Sequence, residues 1–430
     1  MSLEKLKSAS SLKDVAKILG FKPKSISYIL YIKPPADKYN KFEIPKRSGG
    51  KRLVSAPYQD LKKLQRRLSE LLEQCISEIN EKRKVKSVLS HGFRPKYSII
   101  TNASVHRKKR YVFNMDLENF FGTINFGRVR GFFITNRNFE LNPEVATVLA
   151  QIACHDNSLP QGSPCSPVIS NLIGHLVDIR LAALASKASC SYSRYADDLT
   201  FSTNKKTFPV KVARAVGDEL NQWQVGNNLR KIIAKAGFTI NDTKTRMQYK
   251  DSRQDVTGLV VNAKVNTRAE YRHMVRAMVH RLLKTGGYQF KQLTYNDGGD
   301  AVATEVEGTL NQLNGMLSFI DSINVHNRHK DLKHSDSKKN TQPQAILNAN
   351  EKVYKQFLIY KNFFAATSPL ILCEGKTDNI YIKFALKNLA KDYTMLIESS
   401  VKSGVKYKIK FFKRNVISGR LLGLNGGSGC

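Results

Sequence analysis

The stretch SRYADDLTFS (193–202) sets two aspartates between two short runs with β-strand character. Carboxylates have poor strand propensity and repel one another, so the pair marks the tip of a hairpin rather than a strand interior. In a regular strand neighbouring side chains leave on opposite faces, but a tight turn relaxes that rule and lets Asp197 and Asp198 approach one site. In a partly desolvated cleft their repulsion is appreciable. A divalent cation removes the conflict, and Mg2+ suits hard oxygen ligands that leave positions open for phosphate and water. Holding two ions requires a third carboxylate. Asp116 supplies it, at the end of the apolar run YVFNM. Two ions roughly 4 Å apart can activate a hydroxyl and stabilise leaving pyrophosphate in an in-line displacement. The competing reading is an ordinary polar turn, and the dipeptide alone does not decide between them.

The surrounding pattern supports an α+β fold in which an antiparallel sheet is backed by helices. Residues 1–33 read as helical, with Ser11 an N-cap before Val15, Ile18 and Leu19. KFEIPKRSGGKRLVSAP (41–57) reads as a hairpin turning through Ser48, Gly49 and Gly50, and 58–82 as an amphipathic helix carrying Leu61, Leu64, Leu68, Leu71 and Leu72. Helices follow at 141–155, with Pro143 in the first turn, and at 166–188. Residues 111–121 open as a strand and run on into a turn, 190–204 read as a hairpin, further strands are expected at 238–250 and 255–265, and a helix follows at 268–285. Residues 324–345 are polar and nearly devoid of large apolar groups, the composition of an exposed loop or linker. A helix through 350–366 precedes a strand, loop and helix at 368–389.

Charge narrows the partners. Lys and Arg number 70 against 35 Asp and Glu, a net +35 that calls for a polyanion, and nucleic acid is the first to consider. The basic residues are spread through the chain beside non-amphipathic stretches, which disfavours a membrane surface. No uninterrupted apolar run spans a bilayer and no signal-peptide core is present, so no membrane partner is expected and the cytoplasm is the expected location. The six cysteines (Cys75, Cys154, Cys165, Cys190, Cys373 and Cys430) have neither CxxC nor zinc-ligand spacing and read as reduced thiols.

With these residues in view, a resemblance becomes specific. Tyr195-Ala196-Asp197-Asp198 resembles the YxDD box of reverse transcriptases, and Asp116 with Phe120 and Phe121 the first palm motif. LPQGSPCSPVISNL (159–172) is similar to the family's QGxxxSP segment, IPKRSGGKR (44–52) to its fingers motif, and GFTINDTKTR (237–246) to the segment carrying a lysine after the active-site hairpin. The resemblance implies a right-hand polymerase of fingers, palm and thumb with an antiparallel palm sheet. It makes Asp116, Asp197 and Asp198 the catalytic, metal-holding carboxylates of a two-Mg2+ centre. Phe121 becomes a gate beneath the sugar, excluding a 2′-hydroxyl. Gln161 and Gly162 lie near the incoming dNTP, and Gly162 allows close backbone approach. Lys51 or Arg52 supplies charge to the triphosphate. Lys244 either donates a proton to pyrophosphate or screens charge.

Two further segments resemble retron reverse transcriptases: Asn102, Ala103 and His106 in ITNASVHRKKR (100–110) match an NAxxH signature, and Val256-Thr257-Gly258 a VTG signature. They mark family identity or RNA binding. The resemblance implies a structured noncoding RNA that is both template and primer. Synthesis from a guanosine 2′-hydroxyl gives branched RNA-linked single-stranded DNA (msDNA) and a role in anti-phage defence. It leaves a homo-oligomer and an effector complex both open. Residues 1–40 form an N-terminal helical region, 41–265 fingers and palm, 266–323 the thumb, 324–345 the linker, and 346–430 a helix with a partial α/β Toprim-like domain. That last resemblance rests on LILCEGKTDNIYIKFAL, with Glu374 and Asp378 at the positions of interest. No DxD pair follows, and LLGLNGGSGC reads as the next strand and glycine turn, so the domain is expected to be incomplete. Three other functions compete: a nucleic-acid-binding defence scaffold with a vestigial site, a group II intron-like reverse transcriptase, and an RNA-dependent RNA polymerase. Phe121 speaks against the last.

Overall fold

A computed structural model describes residues 1–46, 50–84, 88–216, 222–295, 301–334, 346–373, 375–400 and 404–424. The chain divides into two compact units, Met1–Asn266 and Thr267–Cys430. The turn residues Ser48 and Gly49, Glu374 and Cys430 lie outside the described residues.

The first unit begins with α1 (Ser2–Lys7), α2 (Leu12–Leu19) and α3 (Pro23–Ser27). Ser11 caps α2 in a reciprocal capping box with Asp14, which satisfies backbone donors that a helix start otherwise leaves open. Strands β1 (Tyr39–Pro45) and β2 (Lys51–Pro57) pair antiparallel from Tyr39 opposite Pro57 to Pro45 opposite Lys51. Helix α4 (Gln59–Lys82) buries all five leucines of its expected apolar face. Then come α5 (Ile99–Val105), β3 (Tyr111–Glu118), α6 (Phe126–Thr135), α7 (Pro143–Ala153) and α8 (Ser166–Lys187). Strands β4 (Ser191–Tyr195), β5 (Asp198–Thr203), β6 (Ala213–Ala215) and β7 (Trp223–Val225) precede α9 (Asn227–Lys235) and β8 (Thr239–Tyr249).

The central sheet is antiparallel, in the order β4-β5-β3-β8. Strand β3 is buried without a break from Val112 to Asp116, as its near-continuous apolar run requires of a strand covered on both faces. Helix α8 is long and apolar enough, by length and composition, to cross a membrane, contrary to the sequence expectation. Here it packs in the core instead, burying Ile169, Ile173, Val177 and Leu181 together with the charged Asp178. The strand expected over 255–265 is reduced to two-residue strands, β9 (Asp255–Val256) and β10 (Leu259–Val260). Thr257 and Gly258 both take positive φ, at 47° and 81°, and turn the chain between them.

In the second unit α10 (Ala269–Thr285), the hairpin β11 (Gln289–Tyr295) with β12 (Ala301–Glu307), α11 (Leu310–His334) and α12 (Ala349–Ile359) follow in turn. A small α/β segment comes next, with β13 (Leu370–Ile371), α13 (Lys376–Asn388), β14 (Ile397–Ser400), β15 (Gly404–Tyr407) and β16 (Lys410–Phe411). Helix α14 (Val416–Leu422) closes it. Two expectations need correcting. Residues 324–334 are not loop but the last turns of α11, where polar composition hid helical packing: Asn327 is buried and Arg328 pairs with buried Glu351. Leu421 and Leu422 are not the next Toprim strand either. They end α14, and Leu421 joins the core of Val275, Leu282, Leu313, Leu317 and Phe357. Arg420 ties that helix to Glu351 and Asp321.

Candidate active site

Strand register sets the candidate carboxylates. Asp116 of β3 lies directly opposite Asp198 of β5, so their side chains leave the same face of the sheet. Two residues back on β3, Asn114 pairs with Thr200 and shares that face, and its Oδ1 accepts the Thr200 hydroxyl at 3.0 Å. These four, with Tyr195, Lys244, Arg246, Ile99, Thr257 and Gly258, line a cavity of about 260 Å3. Asp197 occupies the turn, where its carbonyl accepts Leu117 N–H at 3.0 Å. Ala196 before it takes a φ of 54°, the αL conformation that swings the chain around.

The electrostatics record the crowding. Burial, then the neighbouring charges of Asp197 and Asp116, push Asp198 up to about 6, against the opposing pull of Arg246 and Lys244. Solvent still reaches Asp198, so most of that repulsion is screened. Asp197 is raised by burial and by Asp116, with Lys244 and Arg52 opposing. Lys244 sits within a register shift in the β3–β8 pairing between Asn114 and Asp116; such bulges re-aim side chains. Its ammonium donates to both oxygens of Asp116, at 3.0 and 3.1 Å.

Hard oxygen donors at raised negative potential fit a divalent cation. Asp116 and Asp198 present that donor set on one face. Among the described residues, however, no three carboxylate, imidazole or thiol groups stand close enough together to hold an ion as they are. Asp197 is therefore coupled to the pair by charge rather than gathered with it.

The other expected residues fall into place unevenly. Arg52 acts on Asp197, whereas Lys51 is spent on Glu43, at 2.8 Å on the exposed edge of β2. Gln161 joins the two motifs through its backbone, its carbonyl accepting Ser55 N–H at 2.8 Å. Gly162 has a φ of 119°, and a Cβ there would stand 2.8 Å from the Ser55 carbonyl oxygen. Gly162→Ala is therefore expected to strain this junction by roughly 1–3 kcal/mol and to lower kcat/KM for dNTPs roughly ten- to a hundredfold. Steady-state kinetics check this, and an unchanged kcat/KM would refute it.

Asn102 and His106 do not face RNA; they are buried inside the unit, which corrects that reading of the NAxxH residues. His106 bridges the catalytic hairpin, with Nε2 2.8 Å from Ser193 Oγ on β4 and Nδ1 2.8 Å from Ser202 Oγ on β5. Ser193 in turn donates to Asn102 Oδ1 at 2.6 Å. Burial, then Lys109 and His91, hold the imidazole neutral by lowering its pKa to about 3. Val256 is buried, while Thr257 and Gly258 line the cavity beside Asp198 and Thr257 donates to the Ile99 carbonyl. In the second unit Asp378 accepts Gly375 N–H at 2.8 Å, the job of a helix cap.

Sequence reasoning passed over Asp178 and Arg194. Both side chains are wholly inaccessible, and Arg194 donates to both Asp178 oxygens at 2.8 Å. Its Nη1 also reaches the Ala196 carbonyl at 2.9 Å, holding the turn that carries Asp197. One signal was readable: an acid inside the apolar run LIGHLVDIRLAAL needs a buried partner.

Comparison with known proteins agrees with this site. The family described as reverse transcriptase (RNA-dependent DNA polymerase) matches residues 44–271, which takes in the central sheet and Asp116, Asp197 and Asp198. The chain belongs to the reverse transcriptases, and it is an RNA-directed DNA polymerase. Within that class its relatives are retron enzymes. The retron Mx65 reverse transcriptase of Myxococcus xanthus is 32% identical over 328 residues, covering 72% of this chain and 68% of that protein. The retron Ec86 reverse transcriptase of Escherichia coli is 30% identical over 277 residues, 64% of this chain and 78% of that one. The retron Mx162 enzyme of Myxococcus xanthus is 32% identical, and this chain spans 64% of its length. Solved telomerases of Candida tropicalis and Candida albicans align with TM-scores of 0.36 and 0.37 at 11% identity. These alignments cover 76% and 75% of this chain, and 57% and 60% of the telomerases. That likeness is too distant to carry an argument.

Proposed function

We propose that the chain copies a structured noncoding RNA, serving as both template and primer, into single-stranded DNA that stays joined to the RNA through a branch. The reaction serves anti-phage defence in the cytoplasm. One observation carries the chemistry: Asp116 of β3 faces Asp198 across a register pair, and the β4–β5 hairpin that carries Asp198 is braced by the NAxxH residues. The retron relatives support the RNA-primed version over simple primer extension.

Each side chain has a task in this reading. Asp116 and Asp198 would hold Mg2+, with Asp197 adding its charge from the turn, and a pair of such ions would supply charge neutralisation at the reacting phosphate. Lys244 holds Asp116 in place by donating to both its oxygens. Arg52 contributes positive charge on the triphosphate side, and the Gln161–Gly162 backbone fixes the nucleotide floor against β2. Phe121 excludes the 2′-hydroxyl of an incoming ribonucleotide. The net charge of +35 is matched to an RNA–DNA product rather than to a small substrate. For the segment beginning at β13, the Toprim resemblance extends to a strand followed by a helix that starts after Gly375. No nuclease role is derived from it.

The test is to purify the full chain from its host and sequence the nucleic acid that accompanies it. A short single-stranded DNA attached to structured RNA by a 2′–5′ branch is the expected result. Bulk cellular RNA with no attached DNA would refute the retron reading and leave the polymerase assignment intact.

A further inference from the structure

We infer that Phe93 is a specificity-determining positioning residue, which sets sugar selection by backing the Phe121 ring. The inference rests on the reading of Phe121 as the sugar gate. Phe93 belongs to a segment that no catalytic motif above includes, yet the structure brings its ring against Phe121 and Tyr195. Leu89, Ser90 and His91 run parallel to the edge of β4: Arg194 N–H donates to the Leu89 carbonyl, and His91 N–H to the Arg194 carbonyl, both at 2.8 Å. Asn171 of α8 fixes the next residue by donating Nδ2–H to the Gly92 carbonyl at 2.8 Å. A Cβ on Gly92 would stand 2.6 Å from Ala196 N, so only glycine lets this segment lie directly against the turn that carries Asp197.

Phe93 follows with a φ of 55°, a conformation that bulky residues avoid and that persists where surrounding structure imposes it. Its ring lies 6.1 Å from Phe121 and 6.5 Å from Tyr195, centroid to centroid, at tilts of 58° and 39°. Phe121 also meets Phe120 edge-on at 5.4 Å. Of its two ring neighbours, Phe120 is buried in the core and Phe93 is 43% exposed. A core residue would be packed away; this one is strained, half in solvent, and aimed at the gate and at the YxDD tyrosine. A gate excludes a hydroxyl only while it cannot yield. Without Phe93, the Phe121 ring has open space on the solvent side into which it can turn.

The experiment is single-nucleotide incorporation on a primed RNA template by the full chain, comparing kcat/KM for dCTP and rCTP. Phe93→Ala is expected to lower the dCTP/rCTP preference roughly three- to tenfold, the equivalent of one aromatic contact, through a rise in rCTP use. Phe93→Gly should give the same shift with the strained φ relieved, and Phe93→Tyr should restore the preference. Phe121→Ala runs alongside as the reference. If it relaxes sugar choice and neither Phe93 variant does, or if both nucleotides fall together with the ratio unchanged, Phe93 is only structural and the inference fails. If Phe121→Ala leaves the ratio untouched, the gate reading itself falls and this inference with it.

Discussion

Asp198→Asn is expected to abolish DNA synthesis and, in the same protein, to raise the melting temperature measured in chelator. The loss of activity follows from the site: an amide keeps the shape but removes the negative oxygen that a divalent cation requires. Several kcal/mol of charge stabilisation at the reacting phosphate then disappear, a fall in kcat of roughly a thousandfold or more. The gain in stability follows from the same crowding. Burial and two neighbouring carboxylates raise Asp198 to about 6 in the folded chain. An acid whose pKa is higher folded than unfolded costs the native state stability progressively as pH rises past the unfolded value, and in full above the folded one, because folding then confines a charge it disfavours. The asparagine variant escapes that cost, which solvent access reduces to about 1 kcal/mol. Its advantage is expected in full above pH 6 and should vanish as pH falls toward 4, where the native carboxyl takes up a proton. Asp116→Asn is the contrast. It should lose activity equally but gain nothing, because its carboxylate is already paired with Lys244 at 3.0 and 3.1 Å. Primer extension and melting curves across that pH range check both variants. An Asp198→Asn protein that still makes DNA, or melts lower than wild type in chelator at pH 7.5, refutes this account.

What the sequence disclosed depended on whether a residue's partners were local. Ser11 announces its cap because Asp14 is three positions away, and the α4 leucines declare their face by spacing alone. The hairpin at 191–203 is legible because strand patterning and the acidic turn sit side by side. The cross-chain register is not. That Asp116 opposes Asp198, rather than lying a residue to either side, depends on pairing between strands some eighty positions apart, and a one-residue slip would put the two on opposite faces. The choice between Lys51 and Arg52 was undecidable for a similar reason: alternation on β2 separates them, but only the folded site reveals which face meets Asp197.

The misreadings share a cause. Residues 324–334 look like a linker because His, Asn and Lys dominate, yet buried Glu351 lies close enough in space to give Arg328 an ionic partner. Leu421 and Leu422 read as the next strand through the Toprim resemblance, and end a helix capped by Gly423 because Leu421 has a core to enter. His106 carries its RNA-binding reading through the NAxxH resemblance alone. The two serine hydroxyls that enclose it belong to strands 87 and 96 positions further on. Propensity is a weak prior wherever tertiary partners decide.

The Asp178–Arg194 pair makes the sharpest case, and Asp178→Ala is expected to be the most destabilising single change in the first unit. Arg194 has no solvent to turn to: its side chain is fully enclosed, and the aspartate is its only anionic partner among the described hydrogen bonds. Removing one member of such a pair leaves a buried uncompensated charge, which costs about 3–5 kcal/mol. The Tyr192 hydroxyl loses its acceptor as well, at 2.8 Å in the intact protein. Replacing both members by hydrophobic residues of similar size, Asp178→Leu with Arg194→Met, removes the stranded charge and should recover most of that stability. It should not recover synthesis. Methionine cannot donate to the Ala196 carbonyl, so the turn before Asp197 loses the hydrogen bond that fixes its αL conformation. The pair is then kept for where it holds the turn rather than for net stability. Melting curves and primer extension on the single and double variants separate the two effects. A double variant that is both stable and fully active would show that the turn holds itself, and an Asp178→Ala protein melting with wild type would show that the guanidinium is not confined as described.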